Sequence, residues 1–382
     1  MMSWFRKTYT SYLNSLKKDD YKDLTESSDD ALLWARHIER HSHGEFSLAV
    51  AQANAVLEDH SQVEAGPHAT FVGVYDGHGG DEASRYISDH LSAHLLRLAQ
   101  ESRGISEDII RNAFSETENG FLALVRRDFA TRPLIASIGS CCLVGVIWNR
   151  TLYVANLGDS RAVLGSSNRL NKIVAEQLTQ DHNASVKEVR TELQALHPGD
   201  SQIVVKRRGV WRVKGIIQIS RSIGDAYLKS PEFALGPSFP RFHLPVPLSR
   251  GVLRADPAVI TRNIRPNDRF VIFASDGLWE FLTNKEAVKI VNKNSRVGIA
   301  RRLIMAALKK AARILKGEYS EIKARGRGAR REVHDDITVV VVYLDHNPAG
   351  VAGSSTSSAA AVPNLSVRGY VDAVGPSNFH FT

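Results

Sequence analysis

Residues 71–80 read Phe-Val-Gly-Val-Tyr-Asp-Gly-His-Gly-Gly. The apolar half, with Val72, Val74 and Tyr75, predicts a buried β-strand, and the glycines behind it allow a sharp turn with bare backbone close to a ligand. Asp76 and His78 therefore stand at the end of a strand, where a sheet presents side chains to its rim. An Asp-Gly pair after one strand is more often a hairpin turn than a site, so the rest of the chain decides its meaning.

Further carboxylates stand where other predicted strands begin or end. In chain order they are Glu58, Asp59, Asp159, Asp276 and Asp335. A sheet gathers strand ends that are distant in sequence, so these side chains are expected to meet. Carboxylates that are packed together repel one another strongly unless a cation neutralises them. The pattern therefore predicts a metal site.

The available ligand types narrow the choice of metal. Carboxylates, a flexible glycine carbonyl and the lack of a cysteine or histidine cluster with ligand spacing indicate Mg²⁺ or Mn²⁺ rather than zinc. Two such ions about 3.5 to 4 Å apart would make hydroxide from water and stabilise an in-line displacement at phosphorus. The chemistry indicated is the hydrolysis of a phosphate ester.

Seven short motifs resemble those of the metal-dependent protein phosphatases of type 2C, and they occur in that family's order over residues 44–346. They are Leu57-Glu-Asp59, Asp76-Gly-His-Gly-Gly80, Gly158-Asp-Ser-Arg-Ala162, Leu178-Thr-Gln-Asp-His182, Ser220-Arg-Ser-Ile-Gly-Asp225, Ala274-Ser-Asp-Gly-Leu-Trp279 and Asp335-Asp-Ile-Thr338. Each motif is short, but together they are specific. Residues 217–229 and the proline-rich stretch after them most resemble the plant branch called subgroup D.

The resemblance implies a site with two Mg²⁺ or Mn²⁺ ions per subunit. Asp76 would bridge the two ions, and the Gly77 carbonyl would bind one of them. The ligands of the other ion would be Glu58, Asp276 and Asp335, with water in the remaining positions.

The resemblance also implies roles for three more residues. Asp59 would lie behind the ligands, and Asp159 together with Asp276 would hold a third, weaker ion. A hydroxide that bridges the metals would attack phosphorus, and His78 would protonate the departing Ser or Thr oxygen as general acid. The expected enzyme is a protein serine/threonine phosphatase that needs no covalent phosphoenzyme.

Three residues depart from the family's pattern. Many members carry an arginine at the position of Asn54, where it holds the substrate phosphate, and an amide cannot fully replace such a charge-assisted contact. We therefore expect altered binding of the substrate phosphate rather than a loss of activity. Glu280 stands where an aspartate often helps the third metal, and Asp336 stands where an asparagine is usual. These two changes bear on the third ion's affinity, whereas the residues of the two-metal core are all present.

Strands group with strands and helices with helices, which predicts an α+β layered fold. Apolar spacing predicts helices over residues 81–98 and 106–125, and capping boxes predict helix starts near Ser185 and Thr283. The resemblance implies a four-layer α/β/β/α fold, an antiparallel β-sandwich flanked by helix pairs. The expected organisation is an N-terminal amphipathic segment and linker over residues 1–36, a catalytic domain over residues 37–347, and a disordered tail over residues 348–382, rich in Ser, Ala and Gly.

The bulk composition is that of an ordinary soluble protein, with 43% hydrophobic and 24% charged residues in 382. Cys141 and Cys142 are adjacent in an apolar run, so we interpret them as core residues in a reducing compartment. The sequence shows neither a secretory signal nor an apolar run of 18 or more residues. An intracellular protein that does not span a membrane is expected.

Two basic segments leave the location open. Residues 1–18 combine aromatic and leucine side chains at helical spacing with Lys and Arg, which fits a helix docked on the domain, a peripheral membrane or partner contact, or a transit peptide. Residues 309–331 contain nine Lys and Arg against two Glu, or +7 of the chain's +8. They fit a solvated surface, a nuclear-import signal or a dock for an acidic partner, and their single aromatic argues against a specific nucleic-acid site. The two segments are compatible with three cellular locations, the cytoplasm, the plasma-membrane periphery and the nucleus.

In the basic stretch of residues 203–219, apolar and polar residues alternate. This pattern fits either a mobile flap beside the site or a solvated hairpin. The expected partners of the enzyme, a monomer, are phosphorylated protein substrates. Resemblance to subgroup D further implies action on a phosphothreonine near the C-terminus of the plasma-membrane proton pump, with restraint by small auxin-induced regulatory proteins.

Two other functions compete with an active phosphatase. A pseudophosphatase scaffold would bind phosphoprotein partners without turnover. Sequence drift in a protein that no longer needs catalysis should have replaced some of the ligand carboxylates. A metal-dependent nuclease would also use clustered carboxylates, and it would cleave nucleic acid rather than a phosphothreonine peptide.

Overall fold

The computed structural model of the protein describes residues 30–345 and 364–379. The predicted amphipathic segment of residues 1–18 and the first part of the predicted tail lie outside the described residues. Within the described ranges, no helix combines the length and the apolar character needed to cross a membrane.

The described residues form sixteen strands in antiparallel sheets. They are β1 (Leu33–His41), β2 (Gly44–Ala51), β3 (Asp59–Ala65), β4 (Ala69–His78), β5 (Gly139–Ser140), β6 (Cys142–Trp148), β7 (Thr151–Leu157), β8 (Arg161–Ser167), β9 (Ile173–Gln177), β10 (Val204–Arg207), β11 (Val210–Val213), β12 (Ile223–Gly224), β13 (Ala258–Asn263), β14 (Asp268–Ala274), β15 (Ile337–Tyr343) and β16 (Leu365–Arg368). One sheet has the order β1-β2-β15-β14-β8-β9. The other has the order β12-β5-β4-β6-β7-β13, with β3 beside β4 and β16 beside β3, and β10 and β11 form a separate hairpin.

The two sheets pack face to face, so their central strands are buried on both sides. In β4, Val72 and Val74 lie in the core between the sheets, whereas Phe71 and Tyr75 lie in the core beneath the outer helices. A strand covered on both faces reads as a continuous apolar run rather than as an alternating one. This double burial explains the long apolar stretches that the sequence places before or after its carboxylates.

Helices cover the outer faces of both sheets. They are α1 (Glu82–Glu101), α2 (Glu107–Asp128), α3 (Lys187–Leu196), α4 (Asp276–Trp279), α5 (Asn284–Lys293), α6 (Ile299–Ile314) and α7 (Tyr319–Lys323). α1 and α2 bury their apolar stripes against the eight-stranded sheet, and α5 and α6 bury theirs against the six-stranded sheet. The predicted four-layer α/β/β/α fold is therefore confirmed.

The two predicted capping boxes have different outcomes. At Thr283 the box is present, because Oγ1 accepts the N–H of Glu286 at 3.3 Å and the Glu286 carboxylate accepts the N–H of Thr283 at 2.9 Å. Near Ser185 a helix does begin as predicted, but the predicted capping box is absent. α3 begins two residues later, after Val186, because the Asn183 side chain accepts the N–H of Ser185 at 2.8 Å and closes a turn there.

The domain boundaries also differ from the predicted ones. β1 begins at Leu33, inside the predicted linker, and disorder is wrong for residues 364–379. There β16 pairs with β3, Val367 and Phe379 are buried, and the ring centroids of Phe379 and Phe71 lie 5.5 Å apart. Pairing with β16 satisfies the outer edge of β3, which would otherwise stay open. The short strand carries too few apolar residues to show a period within a Ser- and Gly-rich stretch.

Candidate active site

The end of β4 is the centre of the site. Antiparallel pairing with β3 places Asp59 opposite Asp76. At Gly77 a side chain has no room, because a Cβ there would lie 2.4 Å from the carbonyl oxygen of Glu58. Gly79 adopts a φ of +77°, which favours glycine and turns the chain away from the strand toward α1. The glycines of the motif are therefore required by close approach and by backbone conformation.

Asp76 and two neighbouring side chains form a compact group. The Asp76 carboxylate, the Cys141 thiol and the Asp159 carboxylate offer ligand atoms that all lie within 4.8 Å of one another. The Sγ of Cys141 donates to Oδ1 of Asp159 at 3.3 Å, and Asn183 donates to Oδ2 of Asp159 at 2.6 Å. Burial, and then the charge of Asp159, raises the pKa of the Cys141 thiol well above its usual range.

Asp276 joins this group from the other sheet. It is the first residue of α4, directly after β14, and its N–H donates to Oδ2 of Asp76 at 3.4 Å. Burial first, and then neighbouring carboxylates, raise the pKa values of both aspartates well above the usual range. These buried groups repel one another when ionised, and a divalent cation would remove that repulsion. The donor set therefore fits Mg²⁺ or Mn²⁺.

Asp59 connects three strands beneath these carboxylates. Its Oδ2 accepts the hydroxyl of Ser275 at 2.8 Å and the hydroxyl of Thr338 at 2.7 Å. Ser275 precedes Asp276 in the chain, and Thr338 lies at the start of β15. Asp59 thus fixes the relative positions of the strand ends that carry the predicted ligands.

The loop before β3 is held by Asp336. The Asp336 carboxylate accepts the backbone N–H groups of Ala53 at 2.6 Å, Asn54 at 3.0 Å and Glu58 at 2.9 Å. Burial, and then the charges of Asp336 and Asp335, raise the pKa of Glu58. An aspartate at this position therefore organises the loop that presents Glu58 to the site.

His78 is held by Asp225, which follows β12. The Nε2 of His78 donates to Oδ2 of Asp225 at 2.8 Å, and the Ser222 hydroxyl donates to the same oxygen at 2.7 Å. Burial alone would lower the pKa of His78, but the charge and hydrogen bond of Asp225 outweigh it and raise the pKa. When this imidazole is protonated, its second proton is on Nδ1.

The basic hairpin of β10 and β11 packs on α3. Its buried Val204 and Val213 belong to the same core as Val189 of α3. The ring of Trp211 has the guanidinium of Arg190 at 4.6 Å and the ammonium of Lys206 at 5.6 Å from its centroid. The ring of Trp211 is therefore contacted by one cation of the hairpin, Lys206, and by one of α3, Arg190.

Comparisons with known proteins show the fold and the family of this chain. Among solved structures, the serine-threonine phosphatase 2C from Toxoplasma gondii shares the fold, with a TM-score of 0.57 at 16% identity over 82% of this chain and 99% of that one. A family model described as Protein phosphatase 2C matches residues 39–314. The chain therefore belongs to the protein phosphatase 2C family of metal-dependent protein serine/threonine phosphatases.

Plant proteins are among its relatives. The chain is 65% identical over 352 residues to probable protein phosphatase 2C 43 of Oryza sativa subsp. japonica, covering 92% of this chain and 89% of that protein. It is 62% identical over 356 residues to probable protein phosphatase 2C 68 of Arabidopsis thaliana, with the same two coverages.

The site contains residues to which the sequence assigned no role. Asp225 and Ser275 belong to two of the seven family motifs, so membership of those motifs was the signal that could have identified them. Cys141 is buried as predicted, but its thiol faces Asp159 rather than apolar neighbours alone. Cys141 lies between β5, which pairs with the end of β4, and β6, and this position could not be read from an apolar run.

Proposed function

We propose that this protein hydrolyses phosphoserine and phosphothreonine in proteins with two bound Mg²⁺ or Mn²⁺ ions. The observation that carries the proposal is the meeting of Asp76, Asp159 and Asp276 beside a histidine that a buried aspartate holds. Carboxylates that share a rim favour divalent ions, and the histidine supplies a proton donor at the same rim.

The metals would be held by Asp76, Gly77, Glu58, Asp276 and Asp335, with a third, weaker ion at Asp159. When bound, they would supply a hydroxide nucleophile and neutralise the phosphoryl charge. Asp59 keeps the strand ends that bear these ligands in place, and Asp225 orients His78. His78 then protonates the serine or threonine oxygen as it leaves.

A groove beside the site provides room for a protein substrate. It runs along Gly79 and Gly80 and is lined by the apolar side chains of Val56, Leu134 and Phe239. Val56 and Leu134 are 59% and 45% exposed. Apolar residues exposed next to a reaction centre favour a peptide chain over a small free phosphate ester.

The substrate and the cellular location that we propose come from the resemblance to plant subgroup D. We propose the phosphothreonine near the C-terminus of the plasma-membrane proton pump as substrate, restraint by small auxin-induced proteins, and an intracellular enzyme, a monomer, that reaches the membrane periphery through residues 1–18. This proposal is supported by the amino-acid sequence of residues 217–229, which resembles that of subgroup D. Dephosphorylation of a phosphorylated pump peptide, measured with and without such a regulator, would test the proposed substrate and regulator.

The test of the activity is phosphate release from a phosphothreonine peptide in EDTA, Mg²⁺ or Mn²⁺, comparing wild type with Asp76→Asn. Release that requires both metal and Asp76 is expected. Absence of release in any metal would contradict the hydrolase and favour a phosphoprotein-binding scaffold.

A further inference from the structure

Two side chains contact the carboxylate of Asp335, one on each oxygen. The Asn54 amide donates to Oδ1 at 3.1 Å, and Nη1 of Arg331 lies 2.7 Å from Oδ2. The resemblance implies that many family members carry a phosphate-binding arginine at position 54, whereas the side chain here is a neutral asparagine. Arg331 therefore brings a guanidinium to the same carboxylate that position 54 contacts.

Arg331 differs from its neighbour Arg330 in exposure. The Arg330 side chain is 1% exposed and donates to both oxygens of Asp30, at 3.1 and 2.8 Å. The Arg331 side chain is 52% exposed and lies toward the carboxylate site. Because both residues belong to the 3₁₀ turn Ala329–Glu332, the buried pair anchors the turn that presents Arg331.

The positive charge of Arg331 acts on the rim of the site. Its guanidinium nitrogen Nη1 lies 2.7 Å from Oδ2 of Asp335, a carboxylate that the proposed function assigns to a metal. A phosphate dianion that approaches these carboxylates meets their repulsion, so a guanidinium at the rim favours its binding.

Two other arginines near the site are paired with carboxylates that the proposed function does not assign to a metal. Arg132, beside the apolar groove, contacts Glu82, and Arg161 contacts Asp181. Asp335 is different, because it is itself one of the proposed metal ligands. A phosphate bound at the metals would thus lie next to Arg331.

We propose that Arg331 binds the phosphoryl group of the substrate and takes the place of the arginine that many family members carry at position 54. The inference rests on the proposed phosphatase function and names a specificity-determining residue for it. A guanidinium has five N–H donors in a planar fork, so it can contact Asp335 and a phosphate oxygen together.

The test compares Arg331→Gln and Arg331→Lys with Arg327→Gln, which removes the same charge from an exposed arginine of the same segment. The assay uses a phosphothreonine peptide at saturating Mn²⁺, with inorganic phosphate as product inhibitor. We expect Arg331→Gln to raise both KM and the inhibition constant of phosphate about 10- to 100-fold, with a smaller change in kcat. Arg331→Lys should be intermediate, and Arg327→Gln should match wild type.

Metal binding is measured separately because Arg331 touches a proposed ligand. Calorimetric titration with Mn²⁺ should give similar affinities for wild type and Arg331→Gln. A parallel loss of Mn²⁺ affinity, or a KM defect that more Mn²⁺ abolishes, would show that the residue acts only through Asp335 and would overturn the proposal. Unchanged KM and phosphate inhibition in Arg331→Gln would overturn it as well.

A rescue experiment tests whether the two positions serve one phosphate site. We expect Asn54→Arg, added to Arg331→Gln, to bring KM back toward that of wild type. A double variant no better than the single one contradicts a shared site. Wild-type turnover in the same assay separates the two claims: its absence contradicts the proposed function, whereas its presence with an unaffected Arg331→Gln contradicts only this inference.

Discussion

The carboxylate of Asp225 lies 2.8 Å from Nε2 of His78, although 147 positions separate the two residues in the chain. The contact depends on β5, which pairs with the end of β4 on one side and with β12 on the other. Asp225 adopts a φ of +51° directly after β12, and its N–H donates to the carbonyl of Ile138 at 2.8 Å. The orientation of the proposed general acid is therefore built into the backbone of the second sheet.

Replacing Asp225 by asparagine should impair proton donation by His78. We expect Asp225→Asn to lower kcat on a phosphothreonine peptide by about 10- to 100-fold, because the imidazole loses both its orienting charge and the partner that raises its pKa. The fall on p-nitrophenyl phosphate should be much smaller, since that leaving group needs no proton. Comparable losses on both substrates would contradict the role of the pair.

Replacing Asp276 by asparagine should separate activity from stability. We expect Asp276→Asn to abolish metal-dependent turnover, and in EDTA to raise the melting temperature by several degrees. The pKa of Asp276 is raised in the folded protein, so its ionised form opposes folding at neutral pH, and the neutral amide removes that cost. Scanning fluorimetry with EDTA and with Mn²⁺ measures both effects. Full turnover of the variant in saturating Mn²⁺ would refute the metal assignment.

Acidification should destabilise the protein through His41. Its buried ring donates from Nε2 to the Tyr343 carbonyl at 2.9 Å and accepts at Nδ1 from the Thr70 hydroxyl at 3.1 Å, and burial lowers its pKa to about 4. The unfolded chain therefore binds a proton more readily, and stability is lost as the pH falls below the unfolded value. Between about pH 7.5 and pH 5 this one group should account for about 2 kcal/mol.

The measurement is urea unfolding at both pH values for wild type and His41→Gln. The pH dependence of the unfolding free energy should shrink by that amount in the variant. His68→Gln, at an exposed position, serves as control and should keep the wild-type slope. An unchanged slope in His41→Gln would exclude this histidine as a source of acid sensitivity.

The C-terminal segment of residues 364–379 should contribute to stability. Phe379 is 2% exposed and packs on Phe71, so Phe379→Ala should lower the unfolding free energy by about 3 kcal/mol. Val374→Ala, at a site that is 43% exposed, should have little effect. Urea unfolding of both variants compares them. A Phe379→Ala protein as stable as wild type would mean that residues 364–379 do not stay packed in solution.

Local patterns in the sequence indicated the long central strands, the main helices and the carboxylates at the strand ends. The run after Asp335 predicts a strand because residues buried on both faces must all be apolar, whatever their partners are. The carboxylates at strand ends predict a metal site because like charges need a cation. The resemblance adds the layer order, which the structure confirms.

The tertiary structure alone decided which distant groups meet. Asp59 contacts Ser275 and Thr338, Cys141 faces Asp159, and Arg331 reaches Asp335, and none of these pairs leaves a periodic signal in the chain. β16 was missed for the same reason. Hydrophobic periodicity reports only whether a segment has a buried face, whereas the identity of its neighbour depends on strand order and register, which arise when segments far apart in sequence pack together.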